Sequence, residues 1–97
     1  MREQLVASMG PVEVSDLRAH LARDAVIVVD ASLDLLTVAE AVARDDKEQV
    51  GAWIARSLIG KPTLETLERW SKSPPPLVSV VVQPFVLVSE KRDPTAN

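Results

Sequence analysis

The single histidine, His20, is the first residue to consider for catalysis, because imidazole is the commonest general base in enzymes. A general base also needs a partner that orients the ring and a reacting group within reach. The chain contains no cysteine, and no serine or carboxylate completes a recognisable triad with His20. His20 lies near the expected end of a helix, where an imidazolium interacts favourably with the helix dipole. We therefore interpret His20 as a structural or surface residue and predict that the chain is not an enzyme.

Carboxylates between residues 30 and 48 are the candidate ligands for a hard cation, since calcium and magnesium prefer oxygen ligands. They are Asp30, Asp34, Asp45, Asp46 and Glu48. No Asp-x-Asp-x-Asp-Gly loop is present, and helix capping accounts for Asp30, Asp45 and Glu48 without an ion. We predict no metal and no cofactor. Binding of a small molecule or a metal ion by this acidic cluster is kept as the alternative function.

The charge distribution argues against nucleic-acid binding. The net charge is −3, and residues 1–49 carry five Lys and Arg against ten Asp and Glu. Nucleic-acid binders usually present a basic patch that neutralises phosphates. The three glycines are not clustered, so there is no glycine-rich phosphate loop. Aromatic residues are limited to Trp53, Trp70 and Phe85, too few for a base-stacking platform. At helical spacing with Ile54 and Leu67, both tryptophans are expected in the core.

The segment Lys61-Pro62-Thr63 stands between two expected helices and invites a helix-turn-helix interpretation. The following helix would then present polar residues to a DNA groove. Its outward residues are Glu65, Glu68, Arg69 and Lys72, and two of these would repel phosphate. Ordinary helix packing is the better interpretation, and we predict no nucleic-acid partner.

Apolar spacing and turn residues predict the elements that position these side chains. Expected helices cover residues 3–9, 16–23, 33–44, 46–58 and 64–72. The expected N-caps are Ser15, either Asp30 or Ser32, Asp45 and Thr63. Expected strands cover residues 12–14, 25–29 and 77–88. The run at 25–29 does not alternate with polar residues, which indicates cover on both of its faces.

These elements predict an α+β fold in a single domain over residues 1–90, followed by a polar tail at 91–97. We expect a small sheet of two or three strands, the longest at about 77–88, packed as one layer against three to four helices. No apolar stretch reaches the ~18 residues of a membrane span. The segment Met1-Arg2-Glu3-Gln4 lacks the layout of a signal peptide. We therefore predict a cytoplasmic protein with no membrane partner.

The apolar segment at 77–88 is longer than any strand partner expected within the chain. Pro84 interrupts it, so it forms either one bent strand or two short ones. Long apolar edges are usually paired, blunted or prone to aggregation. We therefore predict that the segment pairs with a second copy to form a homodimer. The candidate interaction residues are Gln83, Pro84 and Phe85, and a further, unidentified protein partner is also expected.

Five stretches resemble one family of small bacterial proteins, domain of unknown function 2288. They are VIVVDASLDLLTVAEAVARDD starting at Val26, KEQVGAWI, KPT, LERW and VVQPFVLV. The resemblance covers about residues 2–90. It brings no activity, cofactor or catalytic residue, and implies only a complete, stand-alone bacterial protein. The sequence thus predicts a non-enzymatic protein that acts through self-association or protein–protein interaction.

Overall fold

Over residues 2–90, which the computed structural model describes, the chain forms five α-helices, one 3-10 helix and five strands. The helices are α1 (Arg2–Ser8), the 3-10 helix (Val14–Leu17), α2 (Arg18–Ala22), α3 (Leu35–Ala43), α4 (Lys47–Ala55) and α5 (Leu64–Lys72). The strands are β1 (Gly10–Val12), β2 (Val26–Val29), β3 (Ile59–Gly60), β4 (Leu77–Val82) and β5 (Phe85–Glu90). None of these helices is long and apolar enough to cross a bilayer. The tail predicted at 91–97 lies outside the described residues.

The strands form one mixed sheet in the order β1-β4-β5-β2-β3. β2 and β5 run parallel, and the other neighbours run antiparallel. The α+β class is therefore correct, but the prediction of two or three strands is wrong. The edge strands β1 and β3 have three and two residues, too few to show a periodic pattern in the sequence. β1 also lies at 10–12 rather than at 12–14.

Both faces of the sheet are covered, as the apolar run in β2 predicted. Ile27 and Val29 contact one hydrophobic core, whereas Val26 and Val28 contact a second one. This division follows from the alternation of side chains along a strand. The single pair of layers that we expected is wrong, because helices pack against each face.

The two cores draw on different helices. The first contains Leu5 of α1, Val38 of α3 and Trp53 of α4. The second contains Leu17 of the 3-10 helix and Trp70 of α5. Helices thus form a layer on each side of the sheet, which buries most of the apolar side chains of the central strands.

The segment at 77–88 is a hairpin inside the sheet rather than an edge. The chain reverses at Gln83 and Pro84, whose peptide bond is cis, and pairs Val82 with Phe85. Proline lacks the N–H that would continue a ladder, so the strand ends there. β1 flanks β4, and β2 flanks β5. The reason for expecting a homodimer, a ribbon without partners in its own chain, is therefore wrong. The homodimer itself stays a prediction.

Three helices end in the same backbone motif. Asp24, Asp45 and Ser57 have positive φ angles of 60°, 57° and 59°, one residue after the C-caps of α2, α3 and α4. The next residue of each motif donates its N–H back to the last turn, as Leu58 does to the Trp53 carbonyl at 2.9 Å. This is the Schellman arrangement, usually built on glycine. Because no glycine marks the end of α4, the sequence pattern predicts a helix to residue 58, whereas the helix ends at Ala55.

The helix starts are set by short polar side chains. Asp34, Asp46 and Thr63 accept hydrogen bonds from backbone N–H groups three residues later. The prediction that Thr63 caps a helix is confirmed. The predictions of Asp30 or Ser32 for α3 and of Asp45 for α4 are wrong, because Asp34 and Asp46 are the N-caps. Ser15 is not a cap either, because Glu13 and Asp16 form a capping box around the 3-10 helix instead. Neighbouring acidic and hydroxyl residues all suit a cap, so local sequence does not choose among them.

Candidate interaction site

The predicted interaction residues lie at the tip of the β4–β5 hairpin. Gln83 and Pro84 form the turn and are exposed, and Phe85 is 37% exposed. Val81, paired directly with Val86 across the hairpin, is 40% exposed. Gln83 therefore needs no buried hydrogen-bond partner. The tip presents an amide beside two accessible apolar side chains.

The end of α2 adds polar side chains to this tip. His20 and Arg23 line a cavity of about 170 Å³ together with Val81, Gln83, Pro84, Phe85 and Val86. We call the solvent-accessible part of this lining the hairpin surface: His20, Arg23, Val81, Gln83, Pro84 and Phe85. Arg23 Nη2 lies 2.5 Å from His20 Nδ1. Because a guanidinium only donates, His20 Nδ1 is the acceptor in this contact.

Backbone contacts fix α2 against the hairpin. The N–H of Val86 donates to the carbonyl of Ala25 at 2.9 Å, and the N–H of Ala25 donates to the carbonyl of His20 at 2.9 Å. Asp24 forms an ion pair with Lys61, and neither residue lines the cavity. The position of Arg23 is therefore set by bonds that run directly into β5. The hairpin surface is built on ordered elements rather than on a long loop.

The chemistry available at the hairpin surface is recognition rather than catalysis. Its polar side chains are a guanidinium, an imidazole and an amide. Among the described residues that line the cavity, none is a serine, threonine or carboxylate that the imidazole might activate. Hydrogen-bond donors beside apolar side chains suit the binding of a partner side chain.

The acidic cluster does not converge on one point. Asp30 accepts from the Ser32 N–H at 2.9 Å, Asp34 accepts from Thr37, and Asp46 accepts from Gln49. Asp45 and Asp46 also lie within 4.0 Å of Lys47 and Arg44. Within residues 2–90, no three His, Asp or Glu side chains are grouped to hold a metal ion. The carboxylates serve the turns and helix starts of their own segment.

The two tryptophans and Thr63, which the sequence also singled out, have structural roles in the core and at a helix start. Trp53 and Trp70 are buried, as predicted, and Trp70 Nε1 donates to Glu90 at 3.2 Å. Thr63 caps α5 rather than leading a DNA-reading helix. Leu64 is 74% exposed, although its helical spacing with Leu67 and Trp70 predicts burial. It occupies the first turn, beyond the end of the second core.

Two larger clefts lie elsewhere. One of about 730 Å³ runs between residues 11–16 and 74–77, and one of its two carboxylates, Asp16, accepts from the N–H of Glu13. The other, of about 310 Å³, borders β3. The three prolines at 74–76 wall the first cleft, where they connect α5 to β4. Neither cleft combines exposed apolar side chains with an arginine.

Sequence reasoning missed half of the hairpin surface. His20 and Arg23 stand about 60 residues before Gln83, and no local signal connects them. Val81 belongs to an unbroken apolar run, which predicts burial for every member. It is nevertheless 40% exposed. Only the assembled sheet brings these residues together.

Comparisons with known proteins agree with this fold. A solution NMR structure of PA1075 from Pseudomonas aeruginosa is similar, with 34% sequence identity and a TM-score of 0.82. The similarity covers 93% of this chain and 83% of that one. The comparison with curated proteins gives no match. Residues 1–90 match the family model "Protein of unknown function (DUF2288)", which confirms the resemblance seen in the sequence. The chain therefore belongs to the DUF2288 family.

Proposed function

We propose that the chain is a non-enzymatic protein that acts through protein–protein interaction, with the hairpin surface as the contact. One observation supports this most strongly. Val81 and Phe85 are accessible in a hairpin whose other valines and leucines are buried or half-buried, and both line the same cavity as Arg23. Aromatic residues and arginine are enriched in protein interfaces and supply many of their energetic hot spots.

The size of the cavity favours a protein partner over a metabolite. Small-molecule sites usually enclose ~300–1,000 Å³. The cavity at the hairpin tip has about 170 Å³, enough for one side chain inserted by a partner. The alternative function, binding by the acidic cluster, lacks comparable support because those carboxylates bond within their own turns.

The partner is proposed to be a different protein. In a two-fold dimer centred on the hairpin surface, each Arg23 would need a carboxylate from the same surface of the other copy, and the described residues that line the cavity include none. The homodimer and the cytoplasmic location expected from the sequence stay predictions. Light scattering on a size-exclusion peak tests for the homodimer, since a dimer has twice the 10.6 kDa of one chain.

Site-specific photocrosslinking in the native host tests the proposal. Benzoylphenylalanine replaces Phe85 in one variant and Ile54 in the control. Ile54 is 55% exposed on α4, which packs on the first core, on the opposite side of the sheet from α2. We expect a discrete adduct from position 85 that is absent from position 54. No adduct from position 85, or the same adducts from both positions, would contradict the proposed function.

A further inference from the structure

We propose that the hairpin surface binds an acidic segment of its partner, with a Glu or Asp side chain on Arg23 and a neighbouring apolar side chain against Val81. This inference rests on the proposed function and specifies the chemistry of the partner. The types of polar group around the cavity and their hydrogen bonds support the inference.

The polar groups of the hairpin surface offer donors. Arg23 uses one of its five N–H groups on His20, and the others are available to a partner. Gln83 adds an exposed amide. The described residues around the cavity include no aspartate or glutamate. A partner carboxylate would supply acceptor oxygens for these donors. Hydrogen bonds between ionised groups are stronger than those between neutral groups.

Arg23 is not neutralised by the part of the chain between residues 2 and 90. Ion pairs among the described side chains include Arg44 with Asp46, Lys47 with Asp45, Lys61 with Asp24 and Arg69 with Glu90, and none of these contains Arg23. The adjacent carboxylate, Asp24, is thus directed to Lys61. A partner carboxylate on Arg23 would therefore meet an available cation without displacing an ion pair.

Apolar contacts complete the specificity. Val81 is 40% exposed, lines the same cavity as Arg23 and pairs with Val86 on the face of the sheet that α2 covers, whereas Phe85 pairs with Val82 on the other face. A partner segment in which an acidic residue stands next to an apolar one would pair with Arg23 and contact the apolar part of the hairpin surface at the same time. Burial of apolar area contributes affinity, while the charge pair contributes orientation.

Nucleic acid fits this surface less well. Proteins that bind DNA commonly neutralise several phosphates, about six to ten for tight binders, whereas the cavity holds one arginine. The net charge of −3 also opposes an approach to a polyanion. The observations thus favour a single carboxylate over a phosphate backbone.

NMR titration of the full ¹⁵N-labelled chain tests the inference. The probe is the peptide acetyl-GSLELEG-amide, and the control peptide is acetyl-GSLQLQG-amide. Neither peptide has a free C-terminal carboxylate. We expect saturable shifts of amides in 81–86 and around Arg23, with about tenfold tighter binding of the glutamate peptide. Arg23→Gln should abolish this preference. Arg18→Gln, an exposed arginine on α2 outside the cavity lining, should retain it.

The outcomes separate this inference from the proposed function. Equal binding of the two peptides at the hairpin tip would overturn the acidic partner and leave the interaction surface standing. Absence of saturable shifts there, or shifts centred elsewhere, would also overturn it, and the crosslinking experiment then decides the proposed function independently. A salt-sensitive response at Arg23 to duplex DNA, without a response to the glutamate peptide, would assign the surface to nucleic acid instead.

Discussion

Truncation of Leu87 to alanine should destabilise the protein far more than truncation of Val81, although both residues belong to one apolar hairpin. Leu87 is 0% exposed in β5 and pairs with Val80, which is also 0% exposed. Leu-to-Ala changes in such cores cost about 2–5 kcal/mol. Val81 is 40% exposed, so Val81→Ala removes partly buried methyl groups and should cost about 1 kcal/mol or less.

Urea unfolding followed by tryptophan fluorescence measures both changes, because Trp53 and Trp70 report on the two cores. For a chain of 97 residues, a loss of 3 kcal/mol lowers Tm by roughly 12–24 °C. If Leu87→Ala leaves too little native protein, Leu87→Val gives a milder test on the same scale. Equal effects at Leu87 and Val81 would refute the position of the hairpin between β1 and β2.

Two further predictions concern local structure. Gly51→Ala and Ser57→Gly should each raise the free energy of unfolding by about 0.5–1 kcal/mol, measured by urea denaturation. A Cβ at Gly51 meets no neighbour in the interior of α4, and Ser57 has the positive φ that glycine tolerates. Glu90→Ala should lower the free energy of unfolding by about 1–3 kcal/mol, because it removes the acceptor of the Trp70 N–H. Glu90→Gln keeps an acceptor oxygen and should lower it less. Equal losses in the two variants would contradict this role of Glu90.

Long, strongly patterned elements were predicted well. The strand at 25–29 and the helix at 64–72 correspond closely to β2 and α5, and the cap at Thr63 is confirmed. Their signals are local, since β-branched residues favour strands and a hydroxyl before an amphipathic run favours a helix start. The errors occur where the signal is short or ambiguous, as in β3 and at the end of α4.

The candidate site was only partly predictable for the same reason. Gln83, Pro84 and Phe85 are neighbours in the sequence, and a proline inside an apolar run indicates an irregularity. Arg23 looks like an ordinary charged residue at a helix end. Its role depends on the β2–β5 pairing, which brings Ala25 into hydrogen-bond contact with Val86.

The amino-acid sequence by itself determined the α+β class, the main strands and helices, the burial of both tryptophans and the family resemblance, because each depends on residues close together in the chain. Tertiary structure alone decided the strand order, the cover on both faces of the whole sheet and the central place of the hairpin at 77–90. Strand pairing joins backbone groups between distant segments, and those groups are chemically alike along the chain. Their choice of partner therefore follows from how all the apolar faces are buried together.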